Sequence, residues 1–260
     1  MAMNYAEYLQ VNPLLELQKP LSDGPEHDEL LFITIHQVYE LWFKQTLHEL
    51  SLLQYALEHN QPAVALATFK RMLTILKTMV SQVDILETMT PVSFTSFRSR
   101  LESASGFQSL QFRELEFALG NKRPAFLEHF PEGSEERRRL EARLRKPSLY
   151  DSFLKFLALR GHPVSQETFA VEITRPREPS PELQRLLIEL YHHHPVEMQI
   201  CERLVDYDEG LQEWRYRHVK MVERTIGFKA GTGGSKGAEY LRQTLFKPAF
   251  PDLWQIRTSL

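Results

Sequence analysis

The dominant pattern along the chain places an apolar residue at every third or fourth position, with polar residues between. The clearest stripe advances by steps of three and four residues through Leu66, Phe69, Leu73, Leu76, Val80 and Val83. Such spacing is typical of one face of an amphipathic α-helix. Pro62 suits the first turn of this helix, and Pro91 predicts that it ends after Thr90.

The same period predicts further helices over residues 28–58, 107–119, 149–160, 195–226 and 238–245. Residues that favour helix ends lie at the boundaries of these segments. Gly120 and Gly161 can cap helix C-termini, and Pro195 can occupy the first turn of a helix. Ser180 and Pro181 open another helix in the same way. No run alternates for long enough to make a sheet, and no linker interrupts the chain. The sequence therefore predicts one all-α domain over residues 1–260.

One segment departs from the apolar pattern. Residues 122–147 carry few apolar side chains, and Glu135 and Glu136 are followed by arginines at positions 137, 138, 139, 143 and 145. A basic binding patch is one interpretation of this segment. Because charges of both signs occur there, we favour a charged surface insertion or exposed helix.

Composition excludes several classes of protein. The chain has 260 residues, of which 42% are hydrophobic and 25% charged, as in ordinary globular proteins rather than disordered ones. Its 31 basic and 34 acidic residues give a net charge of −3, which argues against a dedicated nucleic-acid binder. No apolar run approaches the ~20 residues that span a bilayer. No secretory signal is visible, so we expect a cytoplasmic protein without membrane contact.

Cysteine and histidine usage narrows the candidate chemistry. Cys201 is the single cysteine of the sequence, which excludes an intrachain disulfide and a cysteine-based zinc site. The glycine-rich run 231–237 lacks the Gly-Lys-Ser/Thr ending of a phosphate-binding loop and follows a helix instead of a strand. Three consecutive histidines, at 192–194, point in different directions on a helix, so a solvated helix end explains them better than a metal site.

Two other histidines lie on stripes that should be buried. His36 follows Phe32 by one helical turn, and His218 lies one turn after Trp214. A core histidine held by a hydrogen bond is the ordinary explanation for each. Two such residues on separate long helices also permit a haem held between the helices, with one imidazole as iron ligand. Arg98, among apolar neighbours, could pair with a structural carboxylate or with the carboxylate of a ligand.

Three long motifs make the chain recognisable. They read HDELLFITIHQVYELWFKQ at 27–45, SGFQSLQFRELEF at 105–117, and WRYRH at 214–218 followed by IGFKAGTGGS at 226–235. These motifs closely resemble those of the tryptophan 2,3-dioxygenase family, and the likeness runs from Tyr5 to the closing Arg257-Thr-Ser. It is weakest in residues 122–147 and around 160–180.

The resemblance implies a fold, a reaction and a cofactor. The fold is a single all-α domain that holds haem b between long helices, with Fe²⁺ in the active state. The reaction is the cleavage of the indole C2–C3 bond of L-tryptophan by the co-substrate O₂, which gives N-formyl-L-kynurenine, the first step of tryptophan catabolism in the kynurenine pathway. His218 matches the axial iron ligand, and His36 matches the catalytic-site histidine near the indole nitrogen.

The resemblance also implies roles for residues that bind substrate or haem. Phe32 matches an aromatic wall of the indole pocket, Arg98 the clamp for the substrate carboxylate, and Thr232 a contact to the backbone groups of the amino acid. Leu101 can complete the apolar slot, and Ser105 matches a residue near the haem on the oxygen side. Phe94 stands where some members have tyrosine, so one hydroxyl contact to the carboxylate is missing.

The family resemblance implies a homotetramer. In it, an N-terminal segment reaches into the active site of the neighbouring subunit, and its matching residues here are Tyr5, Tyr8 and Leu9. Two alternatives remain: a haem carrier or sensor of the same fold without turnover, and a helical interaction module without a chromophore. A carrier has no need of Arg98, His36 and Thr232 together, which favours the dioxygenase.

Overall fold

A computed structural model of the protein describes residues 3–24, 26–227, 229, 231 and 238–260. Within these ranges the chain is helical without a β-strand, which confirms the predicted all-α class. In chain order the α-helices are α1 (Tyr5–Leu9), α2 (Val11–Leu15), α3 (Asp28–Glu58), α4 (Pro62–Leu86), α5 (Pro91–Arg98), α6 (Leu110–Leu119), α7 (Glu135–Leu144), α8 (Leu149–Leu159), α9 (Gln166–Phe169), α10 (Pro181–His193), α11 (Pro195–Ile226), α12 (Ala238–Arg242) and α13 (Pro251–Gln255). Short 3₁₀ turns occupy Ser99–Leu101, Gly106–Gln108, Pro124–His129 and Ile256–Ser259.

Three long helices form the centre of the fold. Helix α4 packs against α3 on one side and against α11 on the other, while α6 and α8 pack on α3. The apolar stripes predicted from sequence supply this core, since Phe69, Leu53 and Leu204 are fully buried. None of the described helices is both long and apolar enough to cross a membrane.

The prolines act as the sequence predicts, with one correction. Pro62 lies in the first turn of α4 and Pro195 in that of α11. Helix α4, however, already ends at Leu86, and Pro91 opens α5 instead of merely stopping α4. Thr90 caps that new helix, because its side chain accepts a hydrogen bond from the backbone N–H of Ser93 at 3.1 Å.

The predicted helix 107–119 is shorter than expected. Gly106–Gln108 forms a 3₁₀ turn, and α6 begins only at Leu110. Ser109 separates the two because its backbone is extended and its side chain accepts from the N–H of Phe112 at 3.2 Å. A serine in this position serves the helix better as a cap than as an interior residue. Gly120 closes α6 in the left-handed conformation, as predicted.

The charged segment 122–147 is anchored to the rest of the fold. Its helix α7 turns Leu140 and Leu144 inward, where they form a small second core with Phe117, Phe126 and Phe130. Lys122 is buried, and its ammonium group donates to the backbone carbonyls of Leu144, Lys146 and Ile173. Burial lowers the pKa of Lys122 to about 8. The segment thus combines a charged outer face with a buried apolar side.

A buried carboxylate fastens the C-terminal segment to α11. Asp208 is fully buried, and its Oδ2 accepts hydrogen bonds from the backbone N–H groups of Ala249 and Phe250 and from Nε1 of Trp254. These three bonds satisfy donors that would otherwise be buried without partners. They hold α13 against the central helices.

Candidate functional site

A cavity of about 300 Å³ opens between α3 and α11. Its walls are mostly apolar and aromatic, with a small number of polar groups among them. Volume and lining are both typical of a site for a small organic ligand or a cofactor. Five of the residues that the sequence singles out line this cavity: Phe32, His36, Phe94, Ser105 and His218.

Other predicted site residues lie outside the cavity wall or outside the described ranges. Arg98 is the half-buried last residue of α5, one helical turn after Phe94, and Leu101 packs half-buried against the main core. Thr232 lies outside the described residues, although the neighbouring Gly231 borders the cavity. The N-terminal residues Tyr5, Tyr8 and Leu9 are exposed on α1, so this single chain does not bring them to the cavity.

His218 presents a neutral imidazole on the α11 side of the cavity. Removal from water lowers its pKa to about 4, and the nearby His36 and Arg113 act in the same direction. The indole ring of Trp214 stacks on the imidazole with ring centres 5.3 Å apart and planes inclined by only 7°. A neutral imidazole whose ring plane is fixed by packing has the lone pair and the orientation that an axial iron ligand needs.

His36 faces the same cavity from α3. Its Nδ1 lies 2.7 Å from the backbone carbonyl oxygen of Phe32. Since a carbonyl only accepts, Nδ1 is the donor, and in the neutral ring Nε2 then carries a lone pair. Burial lowers the pKa of His36. The hydrogen bond to Phe32 and the charge of Glu40 act to raise this pKa, but burial has the larger effect. His36 is therefore a neutral side chain with a free acceptor nitrogen.

Three phenylalanines form an aromatic wall beside His36. The ring of Phe32 lies 4.1 Å from the imidazole of His36, 5.8 Å from the ring of Phe94 and 5.7 Å from that of Phe97. These tilted and edge-on arrangements are favourable for aromatic pairs and hold the rings in place. The wall offers a rigid apolar surface to a flat aromatic ligand.

A buried charged group at the cavity edge was missed by the sequence analysis. Arg113 and Arg215 both line the cavity, and both donate to Glu116, at 2.5 Å and 3.2 Å. Nε of Arg113 is buried and has no hydrogen-bond partner among the described residues. Two guanidinium groups and one carboxylate leave a positive excess at this edge, which suits an anionic group. The only sequence signal was three charged residues within the otherwise apolar helix α6.

Comparisons with known proteins agree on one family. A family profile described as "Tryptophan 2,3-dioxygenase" matches residues 1–174 and 180–260. A curated protein named Tryptophan 2,3-dioxygenase from Herpetosiphon aurantiacus is 59% identical over 259 residues, which cover 100% of this chain and 99% of that protein. Proteins with the same name from Anaeromyxobacter dehalogenans and Kineococcus radiotolerans are 56% and 43% identical, over 100% and 99% of this chain and 97% and 91% of theirs.

Proposed function

Because this chain belongs to the tryptophan 2,3-dioxygenase family, we propose that the cavity between α3 and α11 is where it cleaves L-tryptophan. The enzyme is a haem-dependent dioxygenase that oxidises the indole C2–C3 bond of L-tryptophan with O₂ to N-formyl-L-kynurenine. The observation that carries the placement is a pair of neutral histidines, His36 and His218, in the walls of one aromatic cavity.

The residues of the cavity fit a haem b group. His218 would hold the haem iron, since its imidazole is neutral and its ring plane is fixed by Trp214. Ser105, which also lines the cavity, would lie near the haem on the oxygen side. The unpartnered Nε of Arg113 is a buried donor suited to a haem propionate. When bound as Fe²⁺, the haem supplies the O₂ activation that no protein side chain can provide.

The substrate indole is proposed to lie on the phenylalanine wall. Phe32 and Phe94 would contact its faces and edges, and His36 would accept a hydrogen bond from the indole N–H through Nε2. His36 serves to position the ring. The indole N–H is a very weak acid, so full proton transfer to an imidazole with a lowered pKa is unfavourable. A fixed indole presents C2 and C3 in one orientation to the oxidant.

The other end of the substrate is a zwitterion and needs charged or polar partners. We assign the carboxylate to Arg98, because a guanidinium group can donate two parallel hydrogen bonds to it. Thr232 and the glycine-rich segment around it are assigned to the amino-acid backbone of the substrate, where glycines permit close approach. Phe94 has no hydroxyl, so it cannot add a hydrogen bond to the carboxylate. Arg98 therefore has the larger share in binding this end.

An absorption spectrum of the reduced, haem-loaded protein tests this function. We expect a Soret band that shifts when L-tryptophan is added, and growth of the N-formylkynurenine absorption band after air is admitted. The shift is expected because substrate on the Phe32 wall changes the surroundings of a haem held by His218. A Soret band indifferent to L-tryptophan would favour a carrier or sensor, and no Soret band after haem addition would leave His218 as a core residue.

We further propose a homotetramer in which α1 reaches a neighbouring active site. The support is the surface of this helix, on which Tyr5 is 76% exposed and Tyr8 is 74% exposed. Helices α1 and α2 have no buried residue, and Leu15 and Leu17 extend the same apolar surface. An apolar segment of this kind is stabilised when a second subunit covers it. Tyr5, Tyr8 and Leu9 would then complete the substrate slot of the neighbour.

Removal of residues 3–10 is expected to reduce turnover strongly while each chain keeps its helical core. The reason is that α1 has no buried residue and, among the helices of its own chain, packs mainly on the short helix α2, so its loss leaves the central helices intact. Light scattering, circular dichroism and turnover should be measured on the same preparation. A variant with Tyr5 and Tyr8 changed to serine is the matched control that keeps chain length. Full activity in both variants would contradict the exchange of N-terminal segments.

The proposed location is the cytoplasm. Cys201 is the only cysteine in the sequence and is fully buried, so the fold depends on no disulfide. Burial raises the pKa of its thiol, which keeps the group protonated and unreactive. A protein of this kind is suited to a reducing compartment.

A further inference from the structure

A second cluster of chemistry-bearing side chains lies far from the haem cavity. His162 follows the C-terminus of α8, His194 is the N-terminal cap residue of α11, and Glu197 lies in the first turn of α11. One ligand atom from each of these three residues lies within 4.8 Å of the other two. Glu197 is buried, and both histidines are half-buried. None of the three lines the cavity that holds His36 and His218.

Local structure fixes the positions of these side chains. Gly161 has a positive φ of 86°, and the N–H of His162 bonds to the carbonyl of Leu157 at 3.1 Å, which ends α8 and turns His162 toward α11. His194 and Glu197 are three residues apart at the start of α11, and the side chain of His194 makes no cap hydrogen bond to that helix. The carboxylate of Glu197 instead faces His162, whose Nε2 lies 2.9 Å from Oε1.

We propose that His162, His194 and Glu197 form a zinc site that joins the end of α8 to the corner between α10 and α11. Two imidazoles and one carboxylate are a donor set that Zn²⁺ prefers, with water completing the tetrahedron. Tetrahedral zinc with bonds of ~2.0–2.1 Å places its ligand atoms about 3.3 Å apart. The spacing of 2.9 Å between Nε2 of His162 and Oε1 of Glu197 is close to this value, and the ligand atoms of all three residues, which lie within 4.8 Å of one another, would have to draw together around the ion.

The cluster contains one carboxylate, and a guanidinium group lies beside it. The carboxylate of Glu197 accepts hydrogen bonds from Nε2 of His162 and from Nε of Arg160. The ion would replace the proton that now bridges Nε2 of His162 and Oε1 of Glu197. Arg160 donates to the same oxygen, Oε1, and a hydrogen bond of this kind orients a ligating carboxylate.

The proposed zinc site lies far from the proposed haem site, so its role would be structural. Glu197 and His218 are 21 residues apart on the same helix, which corresponds to about 30 Å at the helical rise of ~1.5 Å per residue. Zinc at the start of α11 would therefore not touch substrate or haem. It would cross-link α8 with the α10–α11 corner and add stability to that end of the fold.

Calorimetric titration of the tag-free, haem-loaded and chelator-stripped protein with ZnCl₂ tests the proposal. We expect one zinc per chain, and a dissociation constant at least about 10-fold higher in His194→Asn. The side chain of His194 makes no hydrogen bond among the described residues, so this variant should still fold. At a zinc concentration ~100 times the dissociation constant of the unaltered protein, Tm of that protein should rise by about 5 °C, and Tm of His194→Asn should rise by about half as much or less.

Exposed histidines of the same run provide the matched control. His192→Asn and His193→Asn should bind zinc as the unaltered protein does, because these side chains are exposed and neither belongs to the group of ligand atoms around Glu197. Dioxygenase turnover should stay unchanged in His194→Asn, which separates this site from the proposed active site. Two results would overturn the proposal: absence of zinc binding, or binding that His194→Asn leaves intact while His192→Asn or His193→Asn abolishes it.

Discussion

Replacement of His218 by alanine is expected to abolish haem retention and dioxygenase turnover together. His218 is the neutral imidazole on the α11 wall of the cavity, and its ring plane is fixed by stacking on Trp214. Without it the iron has no protein ligand in the position that we propose. The Soret absorbance per chain after haem addition and gel filtration should fall to background, and turnover should fall with it.

A variant of the histidine on the opposite wall distinguishes the loss of an iron ligand from a general disruption of the packing around the cavity. His36→Ala removes an imidazole of the same size from the same cavity, but it should keep the Soret band and lose only turnover. Added imidazole should restore a Soret band to His218→Gly, because the free base can enter the space that the side chain leaves. Equal thermal stability of the haem-free proteins would exclude unfolding. A normal haem spectrum in His218→Ala would reject this residue as the ligand.

The long helices could be predicted from the sequence because local signals determine them. In α3 and α11 the apolar period extends over about eight or nine turns, and proline or a helix-capping residue marks several other helix starts. In α11, the helix predicted over 195–226, the apolar residues Ile200, Leu204 and Tyr207 are buried on one face. A pattern repeated over many turns leaves a single face for the core, so tertiary packing has little freedom to change it.

Short elements escaped prediction because competing local bonds decide them. Ser109 could have continued the helix predicted over 107–119, but its hydroxyl caps Phe112 instead. Four apolar residues of segment 122–147 form a second core with Phe117 of α6, and these five residues are spread over 28 positions of sequence without a helical period. Lys122 donates to three backbone carbonyls, and the most distant of them in sequence belongs to Ile173. Contacts between residues so far apart in sequence depend on the tertiary fold, so a period of three or four residues does not predict them.

The candidate site was predictable only in part. His36 and His218 are half-buried on the stripes that predicted their burial. The meeting of these two positions, 182 residues apart, in one cavity depends on how α3 and α11 pack around α4. Their proposed roles came from the motif resemblance, because a buried histidine alone is as consistent with a core hydrogen bond. The cluster of Arg113, Glu116 and Arg215 joins α6 to α11, and the charged residues within α6 do not indicate that Arg215 of α11 meets them.

Arg98→Ala is expected to raise KM for L-tryptophan by roughly 100-fold with a smaller change in kcat. Arg98 lies one turn after Phe94, whose ring borders the cavity, so both residues are on the same face of α5. A hydrogen bond to a charged group contributes about 1.5–3 kcal/mol, and each 1.4 kcal/mol corresponds to a tenfold change in affinity. Steady-state kinetics of N-formylkynurenine formation, with a haem spectrum of each preparation, provide the measurement.

Binding of tryptamine, which lacks the carboxylate, identifies what Arg98 recognises. If Arg98 holds that carboxylate, Arg98→Ala should weaken the binding of L-tryptophan far more than the binding of tryptamine, as followed by the Soret shift. Arg100→Ala is the matched control, because Arg100 is exposed two residues later and should affect neither ligand. Lysine at position 98 should restore only part of the affinity, since an ammonium group cannot make the two parallel hydrogen bonds of a guanidinium. Equal losses for both ligands would assign Arg98 to the packing of α5 instead of to substrate recognition.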